Sequence, residues 1–143
     1  MTFFDFLGGK IDAIDAKLEK NLEKTIFTLR DNKILKGAID VSEGGIIGAL
    51  MEGLFNGNSG FEGKLITTKN PLVSLFGEIT GRYIISTNND SELLNTCLNN
   101  NIPVLKLGKT NNSSEILFDG YKFNLSKWKN IYETIIEKDV NNV

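Results

Sequence analysis

Apolar positions along this chain switch between helical and strand spacing, and the switches mark its elements. Leu18, Leu22, Ile26 and Leu29 fall on one face of a helix predicted over residues 15–31, with Lys and Glu opposite and Asp31-Asn32 ending it. Residues 35–40 read as a short strand. Ile46, Ile47, Leu50, Met51, Leu54 and Phe55 return to helical spacing over residues 45–55. Gly48, Ala49 and Gly53 leave the other face of that helix small, so a second backbone is expected to pack close there. Residues 56–60 read as a loop by composition.

Residues 61–66 are expected to form a strand, and residues 71–76 a turn or a single helical turn. Residues 82–87 form a strand rich in Tyr and Ile. A helix follows over 89–100, with Asn89 three residues before Glu92 in the manner of a capping box. A strand over 104–107 is entered through Pro103. Segments 115–118 and 121–124 flank Asp119-Gly120, the signature of a type I′ hairpin. The last helix covers 126–138, with Trp128, Ile131, Tyr132, Ile135 and Ile136 on its inner face. The polar tail over 139–143 is expected to fray.

This order of elements predicts an α+β fold, a mixed and largely antiparallel sheet of about four to six strands covered by helices. The length of 143 residues suits one domain. We assign it to residues 12–143. Residues 1–11, with Phe3, Phe4, Phe6 and Leu7 ahead of Gly8-Gly9, read either as the edge of a preceding domain or as a satellite of the local core.

Composition narrows the chemistry. A hydrophobic fraction of 41% and a charged fraction of 24% are those of an ordinary globular domain. The net charge of -2 gives no field to attract nucleic acid. The chain has no histidine, which removes Ser-His-Asp and Cys-His nucleophiles and His-based metal sites. Its single cysteine, Cys97, excludes an internal disulfide and falls in the apolar pattern Leu93, Leu94, Cys97, Leu98, where a core position is expected. No apolar run approaches the roughly 20 residues needed to cross a bilayer. The N-terminus lacks the basic region of a signal peptide. The reading is a cytoplasmic protein with neither membrane nor nucleic acid as partner.

Two loops carry candidate chemistry. Asp40-Val41-Ser42-Glu43-Gly44-Gly45 lies at a strand-to-helix junction. Paired glycines let backbone amides approach a ligand, and a helix N-terminus favours an anion such as phosphate. Ser42 adds a hydroxyl donor. The bland alternative is a turn that needs glycine for its geometry. Asp40 and Glu43 would repel a bare phosphate, which suits them to orienting the loop, binding ribose hydroxyls or capping the helix. The second candidate is Glu78, Gly81 and Arg82. Arg82 is able to clamp a phosphate bidentately, or to tie two loops by pairing with Glu78 or Asp40. Either way, the two loops are expected to meet. Lys106 and Lys109 read as solvated.

Three segments in order carry a resemblance: Lys36-Gly37-Ala38-Ile39-Asp40-Val41-Ser42-Glu43-Gly44-Gly45, then Leu75-Phe76-Gly77-Glu78-Ile79-Thr80-Gly81-Arg82-Tyr83-Ile84-Ile85-Ser86, then Asn101-Ile102-Pro103-Val104-Leu105-Lys106-Leu107-Gly108. Over residues 12–138 the chain resembles the C-terminal domain of the aminoimidazole ribonucleotide synthase superfamily. Within it, the chain is most similar to the last domain of the phosphoribosylformylglycinamidine synthase family. Ile39 stands where that family often has His, and Ile79 where a Ser is common. The resemblance implies part of an enzyme that uses ATP and Mg2+ to activate the amide oxygen of formylglycinamide ribonucleotide. Ammonia from a glutaminase component then displaces phosphate to give the amidine.

In that division of labour ATP, Mg2+ and most catalytic groups belong to a nucleotide-binding N-terminal domain that this chain lacks. The residues carried over as a substrate ribose–phosphate wall are Asp40, Ser42, Glu43, Gly44, Gly45, Glu78, Gly81 and Arg82, with no catalytic or metal-ligating residue. Two other readings stay open. One is a stand-alone binding module that kept the fold. The other is a domain of a related ATP-dependent synthase or kinase of the superfamily, such as aminoimidazole ribonucleotide synthase itself or a selenophosphate or thiamine-phosphate kinase relative.

Overall fold

The computed structural model describes residues 15–64, 75–78, 81–118 and 120–140. The expected edge segment 1–11, most of the turn over 71–76, and Ile79 lie outside the described residues, as do the side chains of Ile135 and Ile136.

Helix α1 spans Ala16–Asp31 and starts where Asp15 caps it, its carboxylate accepting from the amides of Lys17 and Leu18 at 3.0 Å each. Its inward face holds Leu29 and Thr25, both fully buried, while Leu18 at the first turn stays 40% exposed. Thr25 enters the core because its hydroxyl donates to the Asn21 carbonyl at 2.7 Å, so no polar group is left unpaired. Beyond the helix, Lys33 adopts a left-handed conformation (φ 59°), and the Ile34 amide donates back to the Leu29 carbonyl at 2.9 Å. That Schellman closure sets Ile34 against Leu29 in one apolar cluster.

Strand β1 (Leu35–Asp40) pairs antiparallel with β3 (Tyr83–Thr87), Leu35 opposite Thr87 and Asp40 opposite Tyr83. Between them in sequence come helix α2 (Gly45–Gly57) and strand β2 (Gly60–Gly63). Helix α3 (Asp90–Asn99) follows β3. Asn89 caps it by accepting from the Glu92 amide at 3.2 Å, and the Glu92 carboxylate accepts from the Asn89 side chain at 2.7 Å. Strands β4 (Gly108–Asn111), β5 (Glu115–Phe118) and β6 (Tyr121–Asn124) join β2 in a second sheet of order β4-β2-β5-β6. Only β2 and β5 run parallel there. Helix α4 (Leu125–Val140) ends the described chain.

The α+β class and the largely antiparallel pairing are as expected, but the strands divide between two sheets. Each sheet has its own cluster. Leu50, Leu54, Phe55, Phe61, Ile116, Phe118 and Leu125 form one, and Leu29, Ile34, Leu93, Cys97 and Ile102 the other. The β1–β3 ribbon separates them, since Ile84 packs on the first cluster while Leu35 and Ile85 pack on the second.

Three expectations change. The strand expected over 104–107 is irregular, and β4 begins only at Gly108, where β2 offers a partner. Val104 and Leu105 are about half exposed there, next to Pro103, which has no amide to donate. Leu94 and Leu98 turn outward while Leu93 and Cys97 turn in. Trp128 and Tyr132, read as core, are 43% and 57% exposed. They lie over the rim of the core, Trp128 edge-on to Phe123 at 6.0 Å and Tyr132 tilted against Phe55 at 5.6 Å. Lys129, next to Trp128 on α4, donates to the Phe55 carbonyl at 3.2 Å, bringing a cation to the C-terminal end of α2.

Two stability measurements follow from this packing. Ile116→Ala, at 1% exposure, should lower the unfolding free energy by about 2–5 kcal/mol in a urea titration. Leu98→Ala, at 74% exposure, should stay within about 0.5 kcal/mol. Burial pushes the Cys97 thiol up from its ordinary range. The unfolded chain therefore releases that proton first. The stabilisation is full below the ordinary thiol range and is lost as pH rises from there through the raised value of the folded state. Cys97→Ala should remove this part of the alkaline loss of stability.

Candidate functional site

The β1–β3 ribbon ends at the two candidate loops. Asp40 is the last residue of β1 and faces Tyr83, the first of β3. One step further the Val41 amide donates to the Arg82 carbonyl at 2.9 Å, which extends the pairing into the loops themselves. The 40–45 and 78–82 loops therefore meet, as both sequence readings require.

Past Val41 the chain turns into α2 through two left-handed glycines, Gly44 (φ 75°) and Gly45 (φ 63°). Gly45 also lies so close to the other loop that a Cβ built on it would stand 2.6 Å from the Leu75 carbonyl oxygen. Backbone cannot yield there as a flexible side chain would, so glycine is required on both counts. The Gly45 amide donates to the Ser42 carbonyl at 3.1 Å. The Gly44 amide donates to Glu78 Oε1 at 3.2 Å, across 34 residues of sequence. A carboxylate of the chain thus sits at the N-terminal end of α2, where the helix favours negative charge. Ser42, Glu43 and Gly44 are exposed, whereas Gly45 is buried.

On the other loop Arg82 is partly buried, and its Nη2 donates to the Gly77 carbonyl. Desolvation lowers its pKa from the ordinary arginine value, though a guanidinium keeps its charge at any physiological pH. Gly81 is left-handed (φ 73°) and packs against the Glu19 carboxylate of α1, whose Oε1 lies 2.5 Å from a Cβ built there. Sequence reasoning missed Glu19. It lies on the face of α1 read as solvated, and nothing local marks it as a neighbour of a residue 62 positions away. The Gly77 carbonyl was missed for a similar reason, since a backbone acceptor leaves no trace in residue type.

Ile39 stands where the resembling family often has His. In this chain its Cδ1 lies 2.9 Å from a Cβ built on Gly53, so β1 leans on the small face of α2 through that side chain. The close approach expected at this small face is thus made at Gly53 by a side chain rather than a backbone, while Gly48 lies against the Glu43 carbonyl oxygen, 2.5 Å from a Cβ built there. A cavity of about 500 Å3 opens to the side of the loops, between α1 and β3, lined by Glu19, Lys20, Leu22, Glu23 and Tyr83. It does not include the glycine turn. The two loops carry Asp40, Glu43, Glu78 and Arg82, with the Glu78 carboxylate on the Gly44 amide and the Glu19 carboxylate beside Gly81. Such a set accepts hydrogen bonds from hydroxyls more readily than it holds an unaccompanied phosphate.

No family model matches the chain. It is 37% identical over 138 residues to phosphoribosylformylglycinamidine synthase subunit PurL of Petrotoga mobilis, covering 94% of this chain and 19% of that protein. It is 26% identical over 136 residues to the same subunit of Mycobacteroides abscessus, covering 92% and 18%. The chain therefore spans about a fifth of the length of these relatives. Solved structures from Thermotoga maritima share the fold. A PurLQS structure aligns with TM-score 0.73 at 17% identity, over 83% of this chain and 23% of that one. PurL complexed with ATP aligns with TM-score 0.70 at 17% identity, over 81% and 22%. By sequence, this chain is homologous to one segment, about a fifth in length, of the phosphoribosylformylglycinamidine synthase subunit PurL, and it shares the fold of the solved PurL structures.

Proposed function

We propose that the chain serves as the C-terminal, substrate-facing domain of a phosphoribosylformylglycinamidine synthase and is inert without the nucleotide-binding domain. The observation that carries this reading is the meeting of the Gly44–Gly45 turn with the Gly81–Arg82 corner, in a chain 37% identical to a PurL segment. Arg82 supplies a fixed charge and a planar fork for a ribose phosphate. The first-turn amides of Ile46 and Ile47 have no carbonyl one turn back, so they add donors beside it. Asp40, Glu43 and Glu78 accept from ribose hydroxyls, with Ser42 as a donor. Glu78 also holds the Gly44 amide, so a phosphate falls to Arg82 and the later amides.

The chemistry is assigned elsewhere. The proposed partners are the nucleotide-binding domain of the same enzyme, a glutaminase component, and formylglycinamide ribonucleotide as substrate. PurL of T. maritima has been seen complexed with ATP and with FGAR, and in PurLQS, which supports these assignments. ATP bound in the other domain would activate the substrate amide. Mg2+ is assigned to that domain too, as the resemblance implies. A cytoplasmic setting is part of the proposal; no helix among the described residues is long and apolar enough to cross a membrane.

Purified chain supplied with ATP, Mg2+, ammonia and formylglycinamide ribonucleotide should form no product. Addition of the remaining part of the synthase as a separate polypeptide should restore turnover. In that mixture Arg82→Ala should raise the KM for the substrate about tenfold, the scale of a lost charge-assisted hydrogen bond. Product from the chain alone sinks the proposal. So does an Arg82→Ala variant that melts earlier but keeps its KM, since that would make Arg82 a purely structural tie.

A further inference from the structure

We infer that Glu19, on α1 and outside both loop motifs, is a positioning residue for the Gly81–Arg82 corner. The inference rests on the reading of that corner as part of a ribose-phosphate wall. The three atoms nearest to a Cβ built on Gly81 all belong to one carboxylate: Glu19 Oε1 at 2.5 Å, Cδ at 3.1 Å and Oε2 at 3.4 Å. Gly81 carries the φ of 73° that swings the chain from the Glu78 loop into β3. Glu19 therefore fills the space on the outer side of this bend, and Arg82 is the next residue.

The rest of the corner is fixed from other directions. The Arg82 carbonyl is held by the Val41 amide, and its Nη2 donates to the Gly77 carbonyl. Among the described residues Glu19 adds a wall from a capped helix, since Asp15 caps α1 and the Glu19 amide donates to the Asp15 carbonyl at 3.0 Å. Glu19 is also less exposed than Leu18 and Lys20 on either side of it. Glu19 and Tyr83 both line the cavity between α1 and β3, so the residue that borders the bend also borders the start of β3. A side chain held between a helix and a bend constrains the bend by its shape. Glutamine preserves that shape, and alanine leaves a gap into which the corner relaxes.

The test uses ribose 5-phosphate as the probe, with affinity read by NMR titration of the whole chain well below its melting temperature. Glu19→Ala should weaken binding about tenfold while Glu19→Gln stays within about twofold of the wild type. The Val41 amide, which reports the Arg82 carbonyl, should exchange faster with solvent in Glu19→Ala alone. Equal affinity in wild type and Glu19→Ala overturns the inference, even if the variant is less stable, because the role is then structural only. Equal loss in both variants also overturns it, because the charge and not the shape would then matter. If wild type itself fails to bind the probe, the ribose-phosphate reading falls, a result distinct from a wild type that binds and a Glu19→Ala variant that binds as well.

Discussion

A ribbon of two strands is too small to stand alone, and the rest of this structure depends on how that problem is met. The β1–β3 pair is apolar on both faces, with Ile84 directed to one cluster and Leu35 and Ile85 to the other. Each face must be covered, so α2 packs on one side and α1 with α3 on the other. Gly53 lets β1 and α2 approach until the Ile39 side chain touches the helix backbone region. The free end of this doubly covered ribbon is where Asp40 faces Tyr83 and the Val41 amide meets Arg82. The candidate site thus inherits its rigidity from two cores rather than from its own loops.

The helices deliver their chain ends to those cores by one repeated device. After α1, α2 and α3 the chain turns through a left-handed Lys33, Asn58 or Asn101. The next amide, of Ile34, Ser59 or Ile102, then donates five residues back to Leu29, Leu54 or Cys97. In α1 and α3 the residue after the turn is a buried isoleucine packed in the cluster of the helix it has just left. Asparagine tolerates this conformation better than most residues, and lysine does so at a cost that the Ile34 burial offsets.

The electrostatics of the corner set the limits on its chemistry. A helix N-terminus with two glycines invites an anion, yet the Gly44 amide is already engaged by Glu78. An excess of carboxylates over arginine on these loops suits a ligand that presents hydroxyls together with a phosphate, and it disfavours a free polyphosphate. The same electrostatics underlie the proposal that this domain forms one wall of a site while ATP and its metal are held by another.

How much of this was legible in the residues divides along a physical line. Helix positions, the hairpin at Gly120 and the cap at Asn89 follow from local spacing and local hydrogen bonding, so the sequence by itself determined them. The meeting of the two loops was also legible, because complementary residue types at Gly44–Gly45 and Glu78–Arg82 leave few arrangements. Exposure was not. Trp128 and Tyr132 occupy apolar positions on a helix, but what lies opposite them is set by α2 and β6, which local pattern does not encode. The same holds for residues 104–107, whose strand-forming sequence stays irregular because a strand exists only where a partner offers its edge. Glu19 is the clearest case: its charge reads as solvated, and only the packing of α1 against a bend 62 residues away gives it a neighbour.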